Sequence, residues 1–304
     1  MHWIPVALLA PACWAVGNHI DKYLLARQLD SRGIGSLMIC SALVGALVMP
    51  LILIVQPEVL RISLAHAALI MLNGMLYVLG LLPYFHALQR DEASIVVPLF
   101  QTSAVFSYIL GLLVLGEDLT ALQLGAALLI ICGSILIALE LGQRRSTFKS
   151  VVFALMLLAS FLNALNWLLF KFVAVQEHFW VASFWEYAGF VLVGALMLLF
   201  VGPYRRDFVA LLKQSKFNVL GLVALNETAS LAAKTATNVA SLMAPLALVS
   251  TVNGLQPLFV LMYAVMLTLY LPRYGRERLG TKFVIQKVAA MTLMIVGASL
   301  LAVG

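Results

Sequence analysis

Glu227 stands in the run Leu225-Asn226-Glu227-Thr228-Ala229-Ser230, near the middle of a stretch rich in Leu, Val and Ala. A carboxyl group there is cut off from the water that stabilises its charge, so it either exchanges a proton or accepts a cation. That is the chemistry of ion-coupled transport or of cation binding; the alternative is a structural acid that is neutral or paired with a lysine. Lys234 is seven residues on, two turns along the same face and too far for direct contact. Glu186, in Ser183-Phe184-Trp185-Glu186-Tyr187, reads equally as a functional acid or as an interfacial one whose stem snorkels.

Uncharged polar side chains in apolar runs are the next candidates. Asn163 and Asn166 are three apart and so share a helix face; they bind a ligand or hold a neighbouring helix. Asn18, His19, Asp21 and Lys22 close the first apolar run, and Asn226 flanks Glu227. Tyr84 and His86, with Tyr77, are placed to line the same cavity, as are Asn73, Gln101, Asn253 and Gln256. Gln256 precedes Pro257, whose missing N–H leaves a carbonyl one turn earlier without its donor. Trp14, Trp167 and Trp185 offer faces on which a ligand can stack, whereas Trp3 and Trp180 suit an interfacial belt. Glu117-Asp118 stands at a helix end, where its expected work is to cap the next helix or meet a basic group.

Catalysis has no such support. There is no His-Glu-x-x-His, nucleophile elbow, Walker loop or Asp-rich cluster for Mg-diphosphate. Cys13, Cys40 and Cys132 are scattered through apolar runs and form neither a disulfide framework nor a metal site. The expectation is a protein that is not an enzyme and takes no metal or cofactor.

The elements that must position these side chains follow from composition. Of 304 residues, 63% are hydrophobic and 11% charged, against ~25% charged in an ordinary soluble domain. A surface of that kind is stable in a lipid bilayer and aggregates in water. Ten apolar runs are long enough to span, at roughly 3–25, 34–55, 64–88, 94–115, 119–140, 150–173, 180–202, 217–236, 239–271 and 283–303. Short polar connectors separate them, among them Pro203–Lys216, Thr237–Asn238 and Pro272–Lys282. Alternation of the barrel type is absent, so the spans are helices. The ninth run is long for one span and short for two, and reads as one tilted or kinked helix with Pro245 and Pro257 as kink positions.

The net charge of +6 does not point to nucleic acid, because the basic residues sit in short connectors. Fourteen Lys and Arg follow the odd-numbered runs, while the other side has Arg61, with Lys171 and Lys234 near helix ends. The positive-inside rule puts the odd connectors in the cytoplasm and both termini on the non-cytoplasmic face of a cell (inner) membrane. The N-terminus lacks a basic n-region and cleavage site, so no cleaved signal peptide is expected.

The chain also resembles itself. Ala93-Ser94-Ile95-Val96-Val97-Pro98-Leu99 aligns with Ala240-Ser241-Leu242-Met243-Ala244-Pro245-Leu246, four of seven positions being identical. Gly133-Ser134-Ile135-Leu136-Ile137-Ala138 aligns with Gly297-Ala298-Ser299-Leu300-Leu301-Ala302, and Lys22 with Lys171. Five helices per half is odd, so the second half enters from the opposite side. The fold expected is an all-α membrane protein of ten transmembrane helices in two inverted five-helix repeats, 1–141 and 150–304.

These segments resemble the drug/metabolite transporter superfamily, and within it the EamA-type ten-helix transporters. The resemblance rests on Ala93–Pro98 preceded by Tyr84-Phe85-His86-Ala87-Leu88. It rests also on Leu115-Gly116-Glu117 followed by Gly125 and Gly133, and on the second-half copy with Leu255-Gln256-Pro257-Leu258. The second half departs from the pattern, with Leu271-Pro272-Arg273 where a Gly-Glu usually stands. The resemblance implies a secondary transporter, exporter or importer, of a small polar or amphipathic metabolite, proton- or gradient-coupled and working by alternating access as a monomer or homodimer. The alternatives are a flippase for a lipid-linked head group and a non-transporting membrane scaffold or sensor.

Overall fold

The computed structural model describes residues 3–28, 33–91, 96–97, 99–100, 102–138, 150–214, 217–270 and 281–303. Every regular element among them is helical. Lipid offers no partner to a backbone N–H or C=O, so a spanning segment must satisfy its own, and a helix does so. The helices are α1 (Trp3–Tyr23, continued by a π-helical turn Leu24–Gln28), α2 (Gly33–Val55), α3 (Leu64–Arg90), α4 (Thr102–Leu110, continued by a π-helical turn Gly111–Leu115), α5 (Ala121–Ala138) and α6 (Ser150–Gln176). They are followed by α7 (Phe179–Phe200), α8 (Gly202–Gln214), α9 (Phe217–Met243), α10 (Leu246–Asn253), α11 (Gln256–Tyr270) and α12 (Thr281–Val303).

Among the described residues six helical stretches are long and apolar enough to cross a bilayer: Trp3–Ala26, Gly33–Val55, Leu64–Arg90, Ser150–Gln176, Phe179–Phe200 and Leu246–Tyr270. Helix α9 meets α8 at a bend of 118° and makes a seventh if the pair is one span. Thr102–Leu115, Ala121–Gly133 and Val288–Gly297 are shorter apolar helices.

Leu47, Ile54, Leu113 and Phe200 are each more than 70% exposed, while Asn73, Asn166, Glu186 and Thr237 are completely buried. This is the reverse of a water-soluble protein and the arrangement that lipid selects, since the bilayer solvates apolar side chains and the protein must solvate polar ones. Small residues bring the helices close. Gly74 of α3 lies on the Glu186 carbonyl of α7, and Gly189 of α7 lies on the Met71 carbonyl of α3, so a side chain at either would force the pair apart. Helix α5 packs chiefly on α12. There a Cβ on Gly133 would come within 2.8 Å of the Ala290 carbonyl, and one on Gly297 within 2.8 Å of the Ala126 carbonyl.

Helix ends follow local chemistry. Ser63 caps α3 by accepting from the His66 N–H at 3.1 Å. The turn after α4 closes at Gly116, whose φ of +65° suits a residue without Cβ. Helix α5 is capped by Thr120 and Gln123, each side chain accepting from the other's backbone N–H. Sequence reasoning gives Glu117-Asp118 either that cap or a basic partner; Glu117 takes the second course, pairing with Lys171, and also accepts from Leu246 N at 2.7 Å, capping α10.

Three boundaries differ from expectation. Thr237 and Asn238 are not a connector: α9 runs through them to Met243, and both are buried. They are polar because they face the interior of the protein. The ninth run is broken at or beside both expected kink positions, while Leu246–Tyr270 remains one apolar stretch long enough to span. Its first residues end α9, Pro245 precedes α10, and a turn at 254–255 leads into α11. Pro257 falls in the first turn of α11, where a missing N–H leaves no carbonyl unserved. The Pro203–Lys216 connector contains α8, a helix with Arg205 and Arg206 exposed and Leu211 buried, the pattern of one lying along a membrane surface. Gln101, most of Ala93–Pro98, the loop 142–149 and Leu271–Arg273 lie outside the described residues.

Candidate functional site

Two adjoining cavities lie between α1, α3, α6 and α9. The larger, about 100 Å³, is walled by Trp14, Asn18, Tyr84, Asn163, Trp167 and Gln256, with Phe100 and Asn253 beside them. The smaller, about 40 Å³, is walled by Ser41, Tyr187, Asn226, Glu227 and Lys234. Asp21, Tyr77, Leu81 and Ser230 border both. Helix α1 supplies Trp14, Asn18 and Asp21, at spacings that keep them on one face and turn it to α9 and α11. The rings of Trp14 and Trp167 stack with centroids 6.1 Å apart.

A chain of hydrogen bonds ties this wall together. Gln256 donates to Asn18 at 2.5 Å, Asn18 to the Tyr84 hydroxyl at 2.7 Å, and Tyr84 to Asp21 at 3.3 Å. Asn226 donates to the other Asp21 oxygen at 2.8 Å, and Ser41 to Glu227 at 2.8 Å. The Asn226 and Asn253 side-chain oxygens are buried and have no hydrogen-bond partner among the described residues.

Behind the smaller cavity is a second cluster. Lys234 Nζ lies 3.1 Å from Glu186, donates to Asn166 at 3.0 Å, and sits 4.1 Å from the centroid of the Tyr77 ring. Asn73, Asn166 and Asn238 each donate to the Glu186 carboxylate. Glu186 is wholly buried, so it is not an interfacial acid that snorkels: a lysine and three amides replace the water it has lost.

A third cluster closes the end of the molecule where α6 and α9 stop. Lys171 pairs with Glu117 and donates to the Ala244 carbonyl at 2.7 Å. Near the end of α1, Lys22 donates to the carbonyls of Leu88 at 2.9 Å and Asp91 at 2.8 Å.

Of the residues chosen from the sequence, Trp14, Asn18, Tyr84, Asn163 and Gln256 meet at the larger cavity, and Asn226 and Glu227 at the smaller. Glu186 and Asn166 meet in the cluster behind it. Three do not join them. His19 turns outward to an apolar groove of about 550 Å³ between α1, α9 and α11, its Nε2 2.9 Å from the Val260 carbonyl. His86 bonds back to Leu82 of its own helix and lines neither cavity. Trp185 donates its indole N–H to the Val59 carbonyl at 2.9 Å and packs with the core instead of offering a stacking face. Sequence reasoning missed Ser41, Ser230 and Asn238. Each is one small polar residue in an apolar helix, a weak signal in one sequence.

An apolar exterior around a buried polar cavity, built by several apolar helices, defines a multi-pass membrane protein. Residues 1–139 match the model of the EamA-like transporter family, a match that supports a place in the drug/metabolite transporter superfamily. That family is generally non-enzymatic. No curated protein matches the chain. Twenty-six chains of solved structures do. One, described only as "Crystal structure of protein", is 15% identical with a TM-score of 0.60, over 98% of this chain and 94% of that one; at this identity it shows the fold alone.

Proposed function

We propose that this protein is a gradient-driven secondary transporter that carries a small polar or amphipathic metabolite through the paired cavities by alternating access. One observation carries the reading: Asp21, Glu227, Asn18, Asn226 and Gln256 are gathered around internal space in a chain that otherwise shows lipid an apolar face. Burying polar groups among helices is unfavourable, and a lone structural role does not need a cavity among them.

The two rocking units are the inverted five-helix halves, 1–141 and 150–304, ten spans in all. The α5–α12 pair supports this, because Ala126 and Gly133 meet Gly297 and Ala290 reciprocally, at the same offset as the Gly133/Gly297 sequence match. The protein resides in the cell inner membrane with both termini outside the cytoplasm, and works as a monomer or homodimer. Its coupling ion is the proton, taken up at Glu227, whose carboxylate meets Ser41 and no basic side chain among the described residues. A lipid-linked head group as substrate is the second reading, and the apolar groove beside α1 favours it.

The test is reconstitution in proteoliposomes with a panel of labelled metabolites under an imposed proton gradient. Glu227→Gln should abolish gradient-driven uptake while leaving the protein folded. Undiminished gradient-driven transport by that variant removes Glu227 from the mechanism, and no transport of any solute by the parent protein removes the reading itself.

A further inference from the structure

Among the described residues, the charges that face the two cavities do not balance. Asp21 and Glu227 both border the smaller one. Among the described residues, Asp21 receives only the Asn226 amide and the Tyr84 hydroxyl, and Glu227 only the Ser41 hydroxyl. The one lysine on that wall, Lys234, is committed elsewhere: its ammonium is held by Glu186 and Asn166 and covered by the Tyr77 ring. Beside the two acids the Asn226 side-chain oxygen is 4% exposed at the residue level and accepts nothing. It lies against Gly17, where a Cβ would come within 2.9 Å of it, and Gly17 borders the larger cavity.

We infer that this space is the seat of a primary amine, with its ammonium group between Asp21, Glu227 and Asn226 and its flat apolar body against Trp14, Trp167 and Phe100. The assignment rests on the transport reading above and names the substrate class of the same site. A primary ammonium carries three N–H donors and no acceptor, and the site holds two carboxylates and an amide oxygen with acceptor capacity to spare. Aromatic faces next to the acids attract a cation and accept an apolar body. A carboxylate on the ligand would meet no free cation among the described lining residues, so amino acids and organic acids are disfavoured. Both cavities fall well below the ~300 Å³ at which sites for drug-sized ligands begin, so the amine is small.

The probe is 2-phenylethylamine, added to the purified full-length protein in detergent at fixed ionic strength. A ligand that binds the folded state raises the melting temperature. The amine should raise it, phenylacetate and sodium chloride should not, and Asp21→Asn and Glu227→Gln should each weaken the effect at least tenfold. An equal shift with phenylacetate or with sodium, or an amine shift that survives both substitutions, overturns the assignment. The N-trimethylated probe needs no variant. It keeps the charge and the ring but has no N–H, so it should bind at least tenfold more weakly, and equal binding overturns the assignment too. Proteoliposomes separate this inference from the one it rests on. An amine that binds by these criteria and never crosses upholds the site and defeats the transporter. Transport of another solute, indifferent to both substitutions, upholds the transporter and defeats the amine.

Discussion

Lys234 of α9 and Glu186 of α7 form an ion pair of 3.1 Å with side chains only 2% and 1% exposed. A pair so deep is held against the loss of hydration of both charges, and removing one partner strands the other. Lys234→Met alone, or Glu186→Gln alone, should lower stability by about 3–5 kcal/mol, and the double variant should recover most of that loss. Melting temperatures of the two single variants and the double one in the same detergent decide it. Losses that simply add would mean the two side chains do not depend on each other.

The reciprocal glycine crossing of α5 and α12 yields a second expectation. Gly133→Leu or Gly297→Leu puts a side chain where the partner backbone already lies. Each should destabilise by about 1–3 kcal/mol, as overpacking does, and to a similar extent, since the two contacts mirror each other. Gly125 and Gly221, beside which none of the described residues lies within 4 Å, are the controls. A melting curve unmoved by either crossing variant, or moved as much by the controls, would contradict this packing.

The Glu117–Lys171 pair should act as a closure at its end of the molecule. Leu246 is buried there beneath Glu117. In a background with Cys13, Cys40 and Cys132 replaced by Ser, a Leu246→Cys reporter should react slowly with an aqueous thiol reagent. Adding Lys171→Met should speed it, because both Glu117 and the Ala244 carbonyl then lose a partner. Equal labelling rates with and without that change would show that the pair closes nothing.

Orientation can be read in whole cells. A His2→Cys variant should react with an impermeant thiol reagent added outside, and a Ser146→Cys variant should react only after the membrane is broken. The opposite pattern would invert the topology drawn from the Lys and Arg count.

The bilayer as solvent, and the helical spans it requires, were legible from the length of the apolar runs, because that constraint is local. What escaped depends on facing. Asn18 and His19 are neighbours in sequence, yet they point about 100° apart on a helix: one meets the cavity and the other the lipid side. Trp185 and Glu186 part company in the same way. Lys234 was weighed only along its own helix, toward Glu227, while its partner sits 48 residues away on α7. Thr237 and Asn238 read as a water-facing break because polarity marks both a helix end and a lining face. Glu227, by contrast, was visible as an acid in apolar surroundings, whereas Asp21 read only as part of the close of the first apolar run, and the structure adds that the two share a wall.

The interruption at Pro245 ties three distant positions into one evolutionary unit. Where the helix ladder is cut, Lys171 serves the Ala244 carbonyl and Glu117 the Leu246 amide. A lineage that replaced the proline and healed the ladder would set both side chains adrift; one that lost either side chain while keeping the proline would leave a bare peptide group at depth. Among relatives, these three residues should therefore be inherited or abandoned together.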